Sequence, residues 1–404
     1  MTDVLIVGAG PAGTAAGITL ARAGRNVTII DKAAFPRDKC CGDGLTTGAL
    51  RILEELGLDR ASIESWTEVD AAWVRSPSGR EVEFPMPVGR GVFAAVARRI
   101  DLDAALVDLA RASGVTIHEG HAFTSLIEDP DGSAITVEAD GLDPIRARYV
   151  IAADGMWSPV RKSLGLAEAD YLGEWHAFRQ YWTGVTGPAF ERLYVWFEPD
   201  LLPGYAWSFP LPGGRANVGF GVLRDGQRKI QDMKRIWAEL PSRPHIAAAL
   251  GPVAVAESRH LAWPIPAHVD SAVLSRGRVL FVGDAARVTD ALTGEGIGQA
   301  LLTGALAAQA IAAVGALDAA AVTARYERDV RRHLLADHKM SILLGRALKH
   351  EWGARGSVRA AGMTDWTRRN FARWLFEDEP RSIALTPRRW HRRFLDRDGA
   401  YATR

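Results

Sequence analysis

Cysteine is nearly absent from this chain. Its 404 residues include two, Cys40 and Cys41, adjacent in sequence. A disulfide between neighbours would close a strained ring, because Cα atoms across one peptide sit about 3.8 Å apart. No further thiol exists to build a disulfide framework or a zinc-type spacing, so no metal site is expected and reduced thiols in the cytoplasm are. An excess of charge of one sign is lacking too: 49 Lys and Arg oppose 48 Asp and Glu, for a net charge of +1. No global field therefore points to nucleic acid or to a strongly acidic partner. Long apolar runs are scarce. The longest, roughly 301–322, is Ala-rich and broken by Gln309 and Asp318. A membrane span needs about 20 predominantly apolar residues, so a buried core helix is expected there. The first residues enter a strand with no basic n-region or cleavage site, which fits the cytoplasmic expectation. What remains is an ordinary globular composition, 48% hydrophobic and 24% charged, in a chain long enough for two or three lobes.

The N-terminus carries the first chemistry. Val4-Leu5-Ile6-Val7 reads as a strand covered on both faces. Gly8-Ala9-Gly10-Pro11-Ala12-Gly13 follows as G-x-G-x-x-G, then an Ala-rich helical stretch ending near Gly24, then Val27-Thr28-Ile29-Ile30 closing on Asp31. Gly8 permits the tight turn, Gly10 lets the backbone approach a pyrophosphate, and Gly13 lets helix and strand pack. The helix N-terminus offers free N–H groups to the phosphates. Asp31, eighteen residues after Gly13, is placed to accept bonds from ribose hydroxyls, and its charge disfavours a 2′-phosphate. The unit reads as a dinucleotide-binding βαβ.

Two later segments resemble the FAD-dependent hydroxylase and reductase superfamily. The first is Val150-Ile151-Ala152-Ala153-Asp154-Gly155-Met156-Trp157-Ser158, with Arg161 beyond. In that superfamily the Asp-Gly turn serves FAD and a nicotinamide donor. The second, Arg278 to Ala286, ends a strand in Gly283-Asp284 and leads into Leu292-Thr293-Gly294-Glu295-Gly296-Ile297-Gly298. The resemblance implies that Asp284 meets the ribityl chain and that Gly294, Gly296 and Ile297 present N–H groups to the flavin ring at a helix start. Ala291 stands where the family typically has proline. Arg99, four residues before Asp103, matches an Arg that reaches FAD, and the backbone at Phe123 matches a contact to adenine.

Phe35-Pro36-Arg37-Asp38-Lys39-Cys40-Cys41-Gly42-Asp43-Gly44-Leu45 resembles the F-P-R-x-K-x-C-G-D-G-L segment of the geranylgeranyl reductase family, which saturates carbon–carbon double bonds in isoprenoid chains. Tyr205-Ala206-Trp207-Ser208-Phe209-Pro210 matches its Y-x-W-x-F-P, and Asn217-Val218-Gly219-Phe220-Gly221 its N-x-G-x-G strand. Flavin halogenases carry W-x-W-x-I-P at a similar place, and Tyr205 and Phe209 fit the reductase pattern better. The resemblance spans roughly 1–345 and implies that Lys39, Cys41 and Gly42 lie beside the flavin. Physically, Tyr205, Trp207 and Phe209 alternate and share one strand face, with Pro210 ending the strand. They offer an apolar slot above a flavin, or the cover of a sheet core. A thiol at Cys41, with an unperturbed pKa of about 8.5, can donate a proton, position substrate, or serve as a small buried hydrophobe.

The expected architecture is α/β: a Rossmann-like FAD-binding domain of the GR2 type with an inserted antiparallel-sheet substrate domain and a helical C-terminal extension. The FAD-binding domain is drawn from 1–70, 95–165 and 270–345, the substrate domain from 71–94 and 166–269, and the extension from 346–404. In the extension, Trp366, Phe371, Trp374 and Leu375 share a helical stretch with Arg368, Arg369 and Arg373, ended by Pro380, and Arg388, Arg389, Arg392 and Arg393 surround Trp390 and Phe394. Such a basic aromatic segment lies on an anionic membrane surface or packs as an arm. The expected function is an FAD-dependent reductase of isoprenoid double bonds, with Cys41, Tyr205 and Trp207 as catalytic candidates and Tyr205, Trp207 and Phe209 on substrate. NADH, NADPH or ferredoxin is the transient electron donor. The rivals are a flavin monooxygenase or halogenase acting on an aromatic or polyketide substrate, and a non-catalytic isoprenoid escort protein.

Overall fold

The computed structural model describes residues 1–224, 230–315, 318–383, 386–387, 390 and 396–402. Arg388, Arg389, Arg392, Arg393 and Phe394 of the basic tail lie outside the described residues.

Five parallel strands form the centre of an eight-stranded sheet, in the spatial order Val279–Phe281, Ile145–Ala152, Thr2–Val7, Val27–Asp31 and Thr116–Glu119. Thr2–Val7 and Val27–Asp31 are covered on both faces, which is why they read as continuous apolar runs. The helix Pro11–Arg22 begins with Pro11 at its first position, where the missing N–H is no loss. Against it lies Ile297–Val314, long and apolar enough to cross a bilayer but mostly buried inside the protein. The close approach rests on Gly304, whose Cβ would overlap the carbonyl oxygen of Ala12. The apolar stretch expected at 301–322 is two helices rather than one. The first ends at Val314, and Asp318 starts Ala319–Leu348 by accepting the Ala321 N–H.

The second eight-stranded sheet runs Val255–Ala256, Trp175–Thr183, Arg215–Leu223, Tyr205–Leu211, Leu193–Trp196, Ala71–Arg75 and Glu81–Pro85, with Leu261–Ile265 added on Trp175–Thr183. It is antiparallel as expected except for one pair: Leu193–Trp196 runs parallel to Ala71–Arg75. Pro210 does not end its strand, which continues to Leu211 opposite Arg215. The neighbour on the other side pairs only as far as Ser208, so at Pro210 the strand is an edge on that side, a place where proline is tolerated.

Three helices close the molecule: Ala319–Leu348, Glu351–Ala361 and Asp365–Leu375. The last stops at Leu375, ahead of Pro380, because Asp378 turns back to pair with Arg373. Arg373 is thus buried instead of facing solvent. The final described residues also pack on the body, with Ala400 bridging to Val92.

Gly304 separates two opposing effects. Helix propensity alone makes Gly304→Ala stabilising by about 0.5–1 kcal/mol. The overlap with Ala12 O makes it destabilising by about 1–3 kcal/mol. We expect the overlap to win, and a lower urea midpoint at unchanged m-value checks it.

Candidate active site

A cavity of about 840 Å³ runs between the two sheets. At one end its wall is the glycine turn. Gly8 has φ of +107°, and a Cβ there would overlap Ala153 O. Gly10 lies open to the cavity: a Cβ there would meet nothing nearer than Arg37 Nη2, at 3.7 Å. Pro11 and Ala12 continue the wall, whereas Gly13 stays beneath it, packed so closely that a Cβ would overlap Gly8 O. Asp31 is held rigidly: the N–H groups of Ala9 and Ala33 donate to it at 2.7 and 2.8 Å. Arg37 and Arg99 overhang the turn and share one buried counter-ion, Asp103, at 2.8 and 2.7 Å. Two guanidinium groups against one carboxylate leave positive charge above the helix N-terminus, which suits a diphosphate.

Phe123, Asp154, Gly283 and Asp284 form the wall alongside. The Asp154 Oδ2 accepts the Val160 N–H at 2.9 Å, but its buried Oδ1 has no partner among the described residues. Burial pushes this carboxyl up to about 6. An orphaned acceptor beside a glycine cradle calls for a ligand hydroxyl or N–H. Arg161 ties the Asp154 turn to the Asp284 turn by donating to the carbonyls of Ala285 and Val273, at 2.7 Å each. Lys39 lies over the Trp263 ring, 3.3 Å from its centroid. Burial lowers its amine to about 8, with the Asp284 charge opposing.

The segment 38–44 forms the floor between the sheets, pinned from the aromatic side. Arg179 donates to Cys41 O at 3.2 Å and to Lys39 O at 3.0 Å, and Asn217 Nδ2 donates to Cys41 O at 2.9 Å. Trp207 Nε1 in turn donates to Asn217 Oδ1 at 3.0 Å. The two thiols are free. Cys41 Sγ accepts the Asp43 N–H at 3.4 Å. Burial pushes the Cys41 thiol up to about 11, partly offset by Arg99. Gly42 and Gly44 face Phe209 and Trp207, and a Cβ on Gly44 would come within 3.1 Å of the Phe209 ring.

Gly294, Glu295, Gly296 and Ile297 form a further wall at the start of the long buried helix. With Ala291 in place of proline, Asp290 shapes this loop. Its Oδ1 accepts the N–H of Leu292 and Thr293, at 2.9 and 2.8 Å. The Tyr205 hydroxyl donates to Thr293 O, joining the loop to the aromatic face. Tyr205, Trp207 and Phe209 stand side by side with centroids 6.0 and 6.1 Å apart. Beyond them the wall turns aliphatic and aromatic, through Leu344, Leu348, Val358, Phe371 and Leu375 of the C-terminal helices. Ser357, which is exposed, also lines this end.

Every residue singled out for cofactor, substrate or catalysis thus reaches this cavity, apart from Gly13. The sequence reading passed over Arg37, Arg179, Glu295 and the C-terminal wall. Arg37 and Glu295 stand inside the quoted motifs, so position could have suggested them. Phe371 and its neighbours carry no such signal.

The residues fit FAD: a cradle for the diphosphate, a fixed acid for the ribose and an unpaired buried acceptor. Gly10→Ala should keep the fold but weaken FAD retention on the order of tenfold, about 1.4 kcal/mol, read as flavin absorbance per protein. Gly13→Ala should instead lower the melting temperature, because its Cβ has no space.

Comparison with known proteins agrees. The FAD binding domain family model matches residues 1–336. A menaquinone reductase of Mycobacterium tuberculosis is 34% identical over 331 residues, 76% of each chain. Digeranylgeranylglycerophospholipid reductase 2 of Methanopyrus kandleri is 32% identical over 321 residues, covering 77% of this chain and 76% of that protein. The crystal structure of a geranylgeranyl bacteriochlorophyll reductase-like protein from Thermoplasma acidophilum superposes with a TM-score of 0.79 at 23% identity, over 96% of this chain and 99% of the other. From cradle, motifs and matched length together, the chain belongs to the FAD-binding flavoproteins of geranylgeranyl reductase type and is an FAD-dependent oxidoreductase.

Proposed function

We propose that this oxidoreductase saturates carbon–carbon double bonds in the prenyl chain of a lipid-like substrate. The observation that carries the reading is the continuity of the cavity. It leads from the flavin cradle past Tyr205, Trp207 and Phe209 into a long apolar end between the C-terminal helices, the shape a polyprenyl chain needs. Relatives named menaquinone reductase and digeranylgeranylglycerophospholipid reductase support it. Bound FAD, once reduced by NADH, NADPH or ferredoxin, supplies a hydride at N5. The protein orients and encloses the alkene. The aromatic face would pack against it, Cys41 and Gly42 would bound it at the floor, and the apolar lining would keep water from it.

Leu343, Trp352 and Trp366, on the helices whose inner faces line the cavity, are exposed, as is Met363 in the turn between the last two. The same stretch carries the exposed cations Arg346, Lys349, Arg355, Arg359 and Arg369 beside two exposed acids, Glu351 and Asp365. Apolar side chains amid cations suit an anionic bilayer surface. A cytoplasmic protein could there draw a prenyl chain directly from the lipid phase into the apolar end, which the exposed Ser357 helps to line.

Anaerobic turnover of the reduced protein tests the chemistry. A prenyl substrate should reoxidise the flavin without O₂ and give a product heavier by two hydrogens. Reoxidation that waits for O₂, with an aromatic improving its coupling, would move the protein to the monooxygenases, and a colourless purified protein to the escort proteins. Phe209→Ala should lower kcat/KM about tenfold, roughly 1.4 kcal/mol of transition-state binding, with flavin content unchanged. For access, the double variant Trp352→Ser, Trp366→Ser should sediment with vesicles of phosphatidylglycerol less than the parent does. Equal sedimentation of the two would count against these helices as the membrane face.

A further inference from the structure

Glu295 occupies an unusual place for a carboxyl group. It stands in the cavity wall between Gly294 and Gly296. Its Oε1 accepts the Gly298 N–H at 2.7 Å, fixing the group against the helix start. Its Oε2 has no hydrogen-bond partner among the described residues, and the side chain stays half-buried because it fronts the cavity.

The groups around it come from several elements. The C-terminal segment brings Glu377, held by Gln299 Nε2 at 3.1 Å and Thr46 Oγ1 at 3.3 Å. It also brings Arg381, paired with Asp290 and, at 3.3 Å, with Glu377. From the floor and the aromatic sheet, Cys41 and Tyr205 both feel the Glu295 charge. Four carboxylates, Asp290, Glu377, Asp337 and Glu295, thus act on the one buried Arg381 guanidinium, an arrangement that disfavours full ionisation. Asp290 is the one kept ionised: Arg381, Ser341 and the Thr293 and Leu292 N–H groups hold its carboxyl below the usual range despite burial. Burial and then the Glu377 charge push Glu295 up to about 8. Glu377 is raised as well, chiefly by burial.

Resting on the reductase reading, we infer that Glu295 is the acid that protonates the substrate, and that Glu377 is a positioning residue that keeps the Glu295 carboxyl in its proton-bearing form. An isolated trisubstituted alkene accepts hydride poorly unless a proton arrives with it or ahead of it, so a placed acid is required. The alkene π bond breaks, one carbon gains the Oε2 proton, and the other gains the hydride from reduced FAD. The alkene is reduced by two electrons, the flavin is oxidised by two, and the Glu295 carboxylate regains a proton from solvent. Cys41, pushed up to about 11, is a weaker acid than Glu295. Lys39 is of comparable acidity, but its amine is held over the Trp263 ring within reach of the Asp284 charge.

Two measurements on the purified FAD-loaded protein test this. The first is infrared spectroscopy of the oxidised protein across pH. We expect a protonated-carboxyl C=O band at pH 7 that fades with a midpoint near 8, is missing in Glu295→Gln, and titrates at lower pH in Glu377→Gln, where a neighbouring negative charge is gone. The second is anaerobic single turnover of the reduced protein with polyprenyl diphosphates. Glu295→Gln should slow product formation on the order of 10²-fold or more while retaining FAD and its absorbance. The same band in Glu295→Gln, or an active parent matched by an equally active Glu295→Gln, overturns the acid role and leaves the reductase reading standing. A parent inert to every prenyl substrate overturns the reductase reading, and the acid role with it, whatever the infrared band shows.

Discussion

One buried carboxylate, Asp43, holds the two sheets in the relation that makes a site. It is fully buried, and leaving such a charge unpaired would cost several kcal/mol. It is met from both domains instead. Tyr181 and Asn217 of the aromatic sheet donate to Oδ2 at 2.7 Å each, and the Arg99 N–H of the flavin domain approaches Oδ1 at 3.3 Å. Arg179 adds its charge nearby, so that burial raises the group only to about 6. Charge-assisted bonds of this kind contribute about 1.5–3 kcal/mol each, enough to offset most of the desolvation. They also keep Asp43 at a positive φ of 65°, a conformation Asp tolerates better than most residues. The turn that results puts Cys41 and Gly42 between the cradle and the aromatic face.

A second joint lies on the far side of the cavity. Asp290 organises the loop that precedes Ile297–Val314, and Arg381 pairs with Asp290 from a segment some ninety residues later. The C-terminal extension is therefore no appendage. Its helices line the apolar end, and its ion pair steadies the loop on which Gly294, Glu295 and Gly296 meet the cavity. The two joints differ in kind. Asp43 has several neutral donors and two nearby guanidinium groups, those of Arg179 and Arg99. The Asp290 cluster has more acids than bases, and burial together with that excess of negative charge raises Glu295 and Glu377.

The basic aromatic segment shows how composition misleads about direction. Arg373 and Phe371 lie two residues apart on one helix, and both turn inward, Arg373 to Asp378 and Phe371 to the cavity. Trp366, one turn earlier, faces solvent. Spacings of three to five residues are compatible with either outcome, because a helix presents such positions over more than one face. What chose between them was the partner: Asp378 is placed to receive Arg373 only after the chain has turned at Phe376.

By itself the sequence determined the βαβ unit, its glycine turn and the aromatic strand. Each depends on residues close together in the chain: Gly8 to Asp31 for the first two, Tyr205 to Phe209 for the third. Local sterics and alternation decide such features, and both are written in order along the chain. The fold class followed from the order of these units. Tertiary structure alone decided the shared Asp103 beneath Arg37 and Arg99, the Asp43 junction, the parallel pair in the aromatic sheet, and the meeting of Glu295 with Glu377. These join residues tens to hundreds of positions apart, and their energies arise from burial and from the balance of charges brought together. Neither quantity exists until the chain has folded.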